Sequence, residues 1–196
     1  MASEVDICNL ALSHVGANST ISSLSEQSEE AFHCNLLYTD LRDSTLRAHN
    51  WGFATKYLAL SDLGSPPGNW AYRYSYPNDC IRARQILQTN SALGPIPFEV
   101  GIATAGNAPV ILTDQETATL VYTVQVTDTL AFDVMFVQAL AWRLAAELTM
   151  PLTRDFEKMQ AALQMFQMVI GEARTVDSNE AHEPRSITPD WISGRA

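Results

Sequence analysis

The side chains best suited to metal binding or nucleophilic catalysis are few and widely spaced. No two histidines stand four residues apart, and neither a CxxC nor an HExxH sequence occurs, so the usual zinc spacings are missing. His33 and Cys34 are adjacent, but consecutive helix residues point about 100° apart, so this histidine cannot activate that thiol. The odd number of distant cysteines favours free thiols over disulfides. We therefore expect no metal, no cofactor and no catalytic residue among these side chains: His14, His33, His49, His182, Cys8, Cys34 and Cys80.

Carboxylates are so numerous that no pair of them identifies an enzyme. The chain has 22 Asp and Glu residues against 12 Lys and Arg residues, giving a net charge of −10. A glycosidase needs two carboxylates at a set separation across a cleft, which sequence spacing does not show. Glu26, Glu29 and Glu30 are explained by the start of a helix, where negative charge is favourable. A hydrolase acting on cell wall or polysaccharide therefore stays open as an alternative.

Aromatic and arginine residues alternate along two strand-like segments. Four aromatic residues in one of them offer a base-stacking platform, but a chain that grips phosphates should be basic, so a strand face packed on helices is favoured. Arg82 and Arg84 share one face of the other segment. They are expected either to pair with acids of a neighbouring subunit or to remain solvated. The aromatic residues are Trp70, Tyr72, Tyr74 and Tyr76.

Helical patterns begin the chain. Ser3 is the expected N-cap of a first helix, with Asp6 at the capping-box position and Gly16 as the C-cap. Apolar residues at helical spacing predict a second helix, beginning between residues 25 and 28 and ending near Ala48.

Two further helices are expected after residue 126. Asp133 is the expected N-cap of a nearly all-apolar helix that ends at Met150, before Pro151. Thr153 is expected to cap the last helix. The apolar face of that helix is wider than one partner helix needs, which predicts a partner surface. The residues that form or widen this face are Phe156, Met159, Leu163, Met165, Phe166, Met168, Val169, Ile170 and Ala173.

The middle of the chain predicts a small sheet. Its strand-like segments are joined by short links, which predict antiparallel pairing. These segments are 53–60, 70–76, 80–87, 98–104, 110–113 and 118–126.

Together these patterns predict an α+β fold that is mainly α. An antiparallel four-helix bundle is expected from residues 1–50 and 128–180, as one discontinuous domain. A small antiparallel β-sheet module, residues 51–127, is inserted between helices 2 and 3. Residues 181–196 are expected to form an extended C-terminal arm. No apolar run approaches the roughly 20 residues that span a bilayer, and the start lacks a signal-peptide pattern, so we expect a non-secreted protein without membrane contact.

Four stretches, in order, resemble the phage tail tubular protein A family, the adaptors between portal and tail in short-tailed bacteriophages. The similarity covers residues 3–180 and departs at Val134, where a helix-starting proline is expected. The first stretch contains Glu4, Ile7, Cys8, Asn9, Ala11, Leu12, Gly16, Ile21, Glu29, Glu30 and Ala31; the second contains Leu46, Arg47, His49, Trp51, Phe53 and Ala54. The third contains Tyr72, Tyr74, Pro77, Asp79, Cys80, Ile81 and Arg82; the fourth contains Phe136, Ala139, Leu140, Arg143, Leu144 and Ala145.

This resemblance implies a structural virion protein and not an enzyme. It implies a homo-oligomeric ring, twelvefold in the family, bound beneath the portal protein. Such a ring extends the DNA channel and docks the tail nozzle or tube protein. Genomic double-stranded DNA would pass through without specific binding, because acidic walls repel phosphates. The expected location is the neck of the virion, after assembly in the cytoplasm of the host bacterium.

The C-terminal arm is the expected anchor on the portal or on the neighbouring subunit. An aromatic residue in such a segment can supply an interface hot spot. The residues assigned to this contact are Arg185, Ile187, Trp191 and Ile192, while Arg82, Arg84, Tyr72 and Tyr74 are assigned to a subunit contact or sheet face. Besides the hydrolase, a transient head-completion factor that leaves before maturation remains an alternative.

Overall fold

Four helices and six strands make up the part of the chain that the structure describes. The computed structural model describes residues 2–17, 19–64, 66, 68–88, 94–103 and 106–180. The C-terminal arm, with Arg185, Ile187, Trp191 and Ile192, lies outside the described residues. The elements are α1 (Glu4–Val15), α2 (Glu29–Ala48), β1 (Thr55–Ala59), β2 (Tyr72–Ser75), β3 (Cys80–Ile86), β4 (Phe98–Ile102), β5 (Pro109–Thr113), β6 (Thr119–Val124), α3 (Val134–Thr153) and α4 (Phe156–Glu180).

The first two helices begin and end as their local sequence predicts. Ser3 and Asp6 form a reciprocal capping box at the start of α1, and Gly16 ends that helix with a φ of 81°. This left-handed conformation favours glycine because it has no Cβ. Ser28 caps α2 by accepting from the backbone N–H of Ala31 at 3.2 Å.

The other two helices follow the prediction less closely. Asp133 caps α3 as expected, its carboxylate accepting from the N–H of Met135 at 2.7 Å. Pro151 does not end α3, which continues to Thr153; the proline lacks a main-chain donor, but the Thr153 hydroxyl and the Arg154 N–H both donate to the carbonyl of Thr149 and complete the last turn. Thr153 is not the cap of α4 either. That role belongs to Asp155, which accepts from the N–H groups of the next helix.

The six strands form two three-stranded antiparallel sheets, ordered β1-β6-β3 and β2-β5-β4. In the first sheet Thr55 pairs with Thr123, and in the second Leu112 pairs with both Arg73 and Glu99. The two sheets share one apolar core, because buried residues of both contribute to a single cluster. These residues are Tyr74, Ile86, Ile111, Ala118, Leu120 and Tyr122.

The expectation of a four-helix bundle with one small sheet is wrong. The fold is an α+β mixture with about 48% helix and 21% strand, and its strands form two sheets. Alternation shows which residues share a face of a strand, but it does not show which strands pair. The segment 114–118 is short enough for a hairpin, yet it carries the chain from β5 in one sheet to β6 in the other.

The helices surround α3 and do not pack as an up-and-down bundle. Each of the other helices packs on α3, whereas α1 touches α2 and α4 only slightly. Because α3 is enclosed, its buried positions include Phe136, Leu140, Leu144 and Leu148, none of which is accessible to solvent. Among the described helices, none is long and apolar enough to cross a membrane.

Candidate functional site

Arg84, assigned from the sequence to a subunit contact, joins β3 to the end of α2. Its Nη2 donates to the carbonyl oxygen of His49 at 2.6 Å, and its Nε donates to Oγ1 of Thr123 at 2.8 Å. The last carbonyls of a helix have no partner within it, so a cation placed there satisfies them and the helix dipole together. Burial, reinforced by the charges of Arg82 and Arg47, lowers the pKa of Arg84. Arg84 therefore has a structural role.

Two exposed arginines flank Arg84. Arg82 donates from Nη1 to the carbonyl oxygen of Arg47 at 3.3 Å, and Arg47 donates from Nη1 to that of Ile81 at 2.6 Å. We call Arg47, Arg82 and Arg84 the arginine cluster. Across the part of the chain that the structure describes, their hydrogen bonds go to carbonyls and to Thr123, and none goes to a carboxylate. The cluster thus keeps a positive surface where α2 meets β3.

Tyr72 and Tyr74 lie against the core of the two sheets and not against the helices. Their ring centroids are 6.2 Å apart with near-parallel planes. Tyr74 is 2% exposed and donates its hydroxyl to the carbonyl of Gln115 at 2.9 Å. A side chain buried in this way offers no face for base stacking. The nearby charge of Glu116, with burial, raises the pKa of half-buried Tyr72.

Acidic side chains lie at the end of the β module that is opposite to the arginine cluster. Glu99, Asp114 and Glu116 are all exposed, and we call them the acidic edge. Glu99 accepts from Nε1 of Trp70 at 3.2 Å, and Asp114 accepts from the N–H of Ala71 at 2.9 Å. These bonds position the carboxylates while leaving them at the surface.

The arginine cluster and the acidic edge lie toward different ends of β6. Asp114 and Glu116 precede its first residue, Thr119, whereas Gln125 follows its last residue and donates to Asp43 of α2 at 2.6 Å. A strand rises about 3.3 Å per residue, so the five steps along β6 span about 17 Å. The acidic edge is therefore remote from the arginine cluster.

An apolar groove of about 410 Å³ lies between α1 and the start of α3. Val134 is 69% exposed there, and Leu130, in the 3₁₀ turn that enters α3, is 62% exposed. Sequence reasoning did not single out this groove, although the apolar residue at the first position of α3 was a visible signal. The groove is lined by Ala2, Leu10, Thr129, Phe132, Val134, Val137 and Gln138.

The wide apolar face of α4 is mostly used within the protein. Val169 is buried and Met165 is half-buried, whereas Met168 is 57% exposed. Phe156, at the start of α4, is also more than half exposed.

A cavity of about 730 Å³ lies against the outer face of the second sheet, and its described lining residues include no catalytic pair. Arg73 lines it and donates from Nη2 to the carbonyl of Leu63 at 2.9 Å. Cys80 also lines it, with its thiol donating to the hydroxyl of Tyr76 at 3.1 Å. Burial raises the pKa of Cys80, which disfavours the reactive thiolate.

The thiols of Cys8 and Cys34 pack inside the helical core, and the half-buried His14 packs beside it. Cys8 and Cys34 are fully buried, and a hydrogen bond between the two thiols, together with burial, raises the pKa of Cys8. His14 stacks on Trp142 with ring centroids 3.7 Å apart, and burial lowers its pKa. Among the described residues, no group of three His, Cys, Asp or Glu side chains could hold a metal ion.

No protein-family model matches the chain, and no curated protein matches it either. The features that bear on function are accordingly its own surfaces: the arginine cluster, the acidic edge and the apolar groove.

Proposed function

We propose that this protein is a structural component of a bacteriophage particle: a head-to-tail adaptor that forms a ring beneath the portal. The ring extends the DNA channel and docks the tail nozzle or tube protein. The resemblance of residues 3–180 to the tail tubular protein A family supports this assignment, because it combines four stretches in the family's order.

The apolar groove is the structural observation that most strongly supports the proposal. Val134 and Leu130 each leave most of their side chain in water beside a concave apolar surface. Contiguous exposed apolar surface next to a groove is typical of a protein-binding site. An adaptor contacts the portal, the tail protein and its own copies, so each copy needs more contact surface than a free monomer does.

The charge of the chain supports passage of DNA without binding. At a net charge of −10, most of the surface repels phosphates. A protein that held DNA would need several phosphate contacts from lysine and arginine, since these supply most of the affinity.

Copy number in mature particles tests the proposal. Purified virions are analysed by mass spectrometry, and the amount of this chain is compared with that of the portal protein. We expect a ratio near one to one, as for a ring of matching symmetry. Absence from finished particles, or a strongly different ratio, would overturn the adaptor assignment and favour a transient assembly factor.

A matched pair of variants tests the role of the groove. Val134 and Phe156 are the first residues of α3 and α4 and are 69% and 56% exposed; Val134 begins α3, whereas Phe156 follows the other end of α3. Glutamate is tolerated at the first turn of a helix, so Val134→Glu and Phe156→Glu should both fold. Val134→Glu should reduce incorporation into particles at least tenfold, and Phe156→Glu should not. Equal incorporation of both variants would remove the groove from the interface.

A further inference from the structure

We infer that neighbouring copies are joined by a charge contact in which the arginine cluster of one copy binds the acidic edge of the next. This inference rests on the proposed function, since it concerns how the copies of the ring meet. The partner is a second copy of this chain.

The basic side of the contact is preformed, and among the described residues no carboxylate accepts a hydrogen bond from it. Arg47 and Arg82 are both exposed, and each spends one N–H on a backbone carbonyl. A guanidinium has five donors, so both retain donors for a carboxylate. Arg84 holds the surface together by fixing β3 to the end of α2. The bonds to carbonyls limit side-chain motion, so less entropy is lost when a carboxylate binds.

The acidic side is rich in carboxylates, although Arg73 shares a sheet face with Glu99 because both residues pair with Leu112. Between Arg84 and Arg143 the sequence contains no lysine or arginine. The carboxylate of Asp114 is held by the N–H of Ala71, next to exposed Glu116. The arginine cluster and the acidic edge do not meet each other within one copy, because they lie toward different ends of β6. A second copy supplies the missing charge for each.

The placement of the two regions determines the kind of assembly. A contact between two different surfaces of the same chain is head-to-tail, and it is repeated by every added copy. Such contacts close into a ring when the rotation between copies allows it, whereas a symmetric contact stops at a dimer. Charge contacts between the regions therefore suit a ring.

A nucleic acid is the less favoured occupant of the arginine cluster. Only Arg47 and Arg82 are exposed there, whereas a stable phosphate-binding surface uses several basic residues. The chain's net charge of −10 opposes approach of a polyanion, while the localised acidic edge of a second copy presents only a few carboxylates.

Cysteine crosslinking tests the contact directly. Full-length chains carry both Arg82→Cys and Glu116→Cys in a Cys80→Ser background. They are oxidised in two settings, once at high protein concentration in solution and once in particles. The remaining Cys8 and Cys34 are fully buried. We expect a ladder of dimers, trimers and larger species from the double variant and only background dimers from Arg82→Cys alone. Dimers from the single variant at the same yield, or no ladder in either setting, would overturn the inference.

Mixing of charge-neutralised variants tests whether each contact joins the basic side of one copy to the acidic edge of another. Arg47→Gln/Arg82→Gln removes the exposed basic side and leaves Arg84 in place, while Glu99→Gln/Asp114→Asn/Glu116→Gln removes the whole acidic edge. Each variant alone should fail to assemble. Their mixture should stop at dimers, because only one of the two contacts can form. Larger assemblies from either variant alone would contradict the inference.

Failure of this inference is distinguishable from failure of the adaptor function. A virion copy ratio near one to one without crosslinking at residues 82 and 116 overturns the contact alone. A salt-dependent shift of a short DNA duplex by the wild type, abolished by Arg47→Gln/Arg82→Gln, would instead identify the cluster as a phosphate site.

Discussion

The guanidinium of Arg84 lies 2.6 Å from the carbonyl oxygen of His49 and so connects a strand of the β module to the end of α2. The same device recurs at the end of α1, where Nζ of Lys158 donates to the carbonyl of Val15 at 3.2 Å. In both cases a cation from a later segment meets the negative end of an earlier helix. The helices of the N-terminal half are thereby held by residues that are 35 and 143 positions from their partners.

Removing the Arg84 guanidinium should destabilise the protein more than any other single arginine change in the cluster. Arg84→Met keeps much of the aliphatic stem but leaves the helix-end carbonyls without their half-buried donor. A charged hydrogen bond of this kind contributes about 2 kcal/mol, so the free energy of unfolding should fall by about that amount. Urea unfolding followed by circular dichroism measures the change.

Arg82→Met is the matched control for that measurement. Arg82 lies two residues away on the same strand, is exposed and makes one long bond of 3.3 Å. Its loss should cost about 0.5 kcal/mol or less. Equal losses of stability in the two variants would show that burial of Arg84 at the end of α2 is not what makes it important.

Asn9 should be sensitive to substitution because its amide makes two bonds to one residue. Its Oδ1 accepts from the N–H of Ile21 at 2.8 Å, and its Nδ2 donates to the carbonyl of Ile21 at 2.9 Å. Asn9→Ala should lower the free energy of unfolding by about 1–2 kcal/mol. Asn9→Asp keeps the acceptor but places a carboxylate against a carbonyl, so it should also destabilise at neutral pH.

Acid titration distinguishes these two variants. Protonation lets the introduced carboxyl group of Asn9→Asp donate again, so the difference between this variant and the wild type should shrink as the pH falls below about 4. Asn9→Ala has no such group, and its difference should stay level over the same range. Parallel thermal melts from about pH 3 to 7, a range that brackets the ordinary pKa of an aspartate, measure both. A level difference for Asn9→Asp would contradict the paired-bond interpretation.

Glu26 should make the protein less stable in acid. The backbone N–H of Ser22, then the hydroxyls of Ser22 and Ser28, lower the pKa of Glu26 from 4.5 to about 2. A carboxylate with a depressed folded-state pKa stabilises the protein above its unfolded-state pKa. That stability is lost as the pH falls from about 4.5 towards 2. Melting temperatures of the wild type and Glu26→Gln should differ at neutral pH and converge near pH 2, whereas a constant gap would disprove the linkage.

Most helix ends could be predicted from the sequence, although the Thr153 cap and the end of α3 at Met150 were wrong, whereas the long-range strand pairings could not be predicted. Ser3, Gly16, Ser28 and Asp133 act through groups within a few residues of themselves, so their types and positions were sufficient. Pairing of Thr55 with Thr123 depends on the register of two distant strands, which alternation does not encode. The division into two sheets was missed for this reason.

The candidate site likewise depends on long-range contacts that the sequence does not show. The sequence singled out Arg82 and Arg84 because alternation places them on one face of a strand. It did not show that Arg84 binds the carbonyls at the end of α2, because β-bulges in β3 and the position of α2 determine where that side chain reaches. The apolar groove was missed because it combines residues from α1 and α3, which are far apart in the chain.

Deleting residues 186–196 should separate docking from folding. The buried core of the described residues extends from Ile7 to Ala173, so the truncated chain should keep the wild-type melting temperature. Loss of Trp191 and Ile192 removes large apolar side chains of this segment, which we expect to anchor the chain on the portal or on the neighbouring subunit. Incorporation into particles should fall at least tenfold for the deletion. Trp191→Ala is the point-variant control and should reproduce most of that loss, whereas incorporation of the truncated chain at the wild-type level would refute the role of the segment.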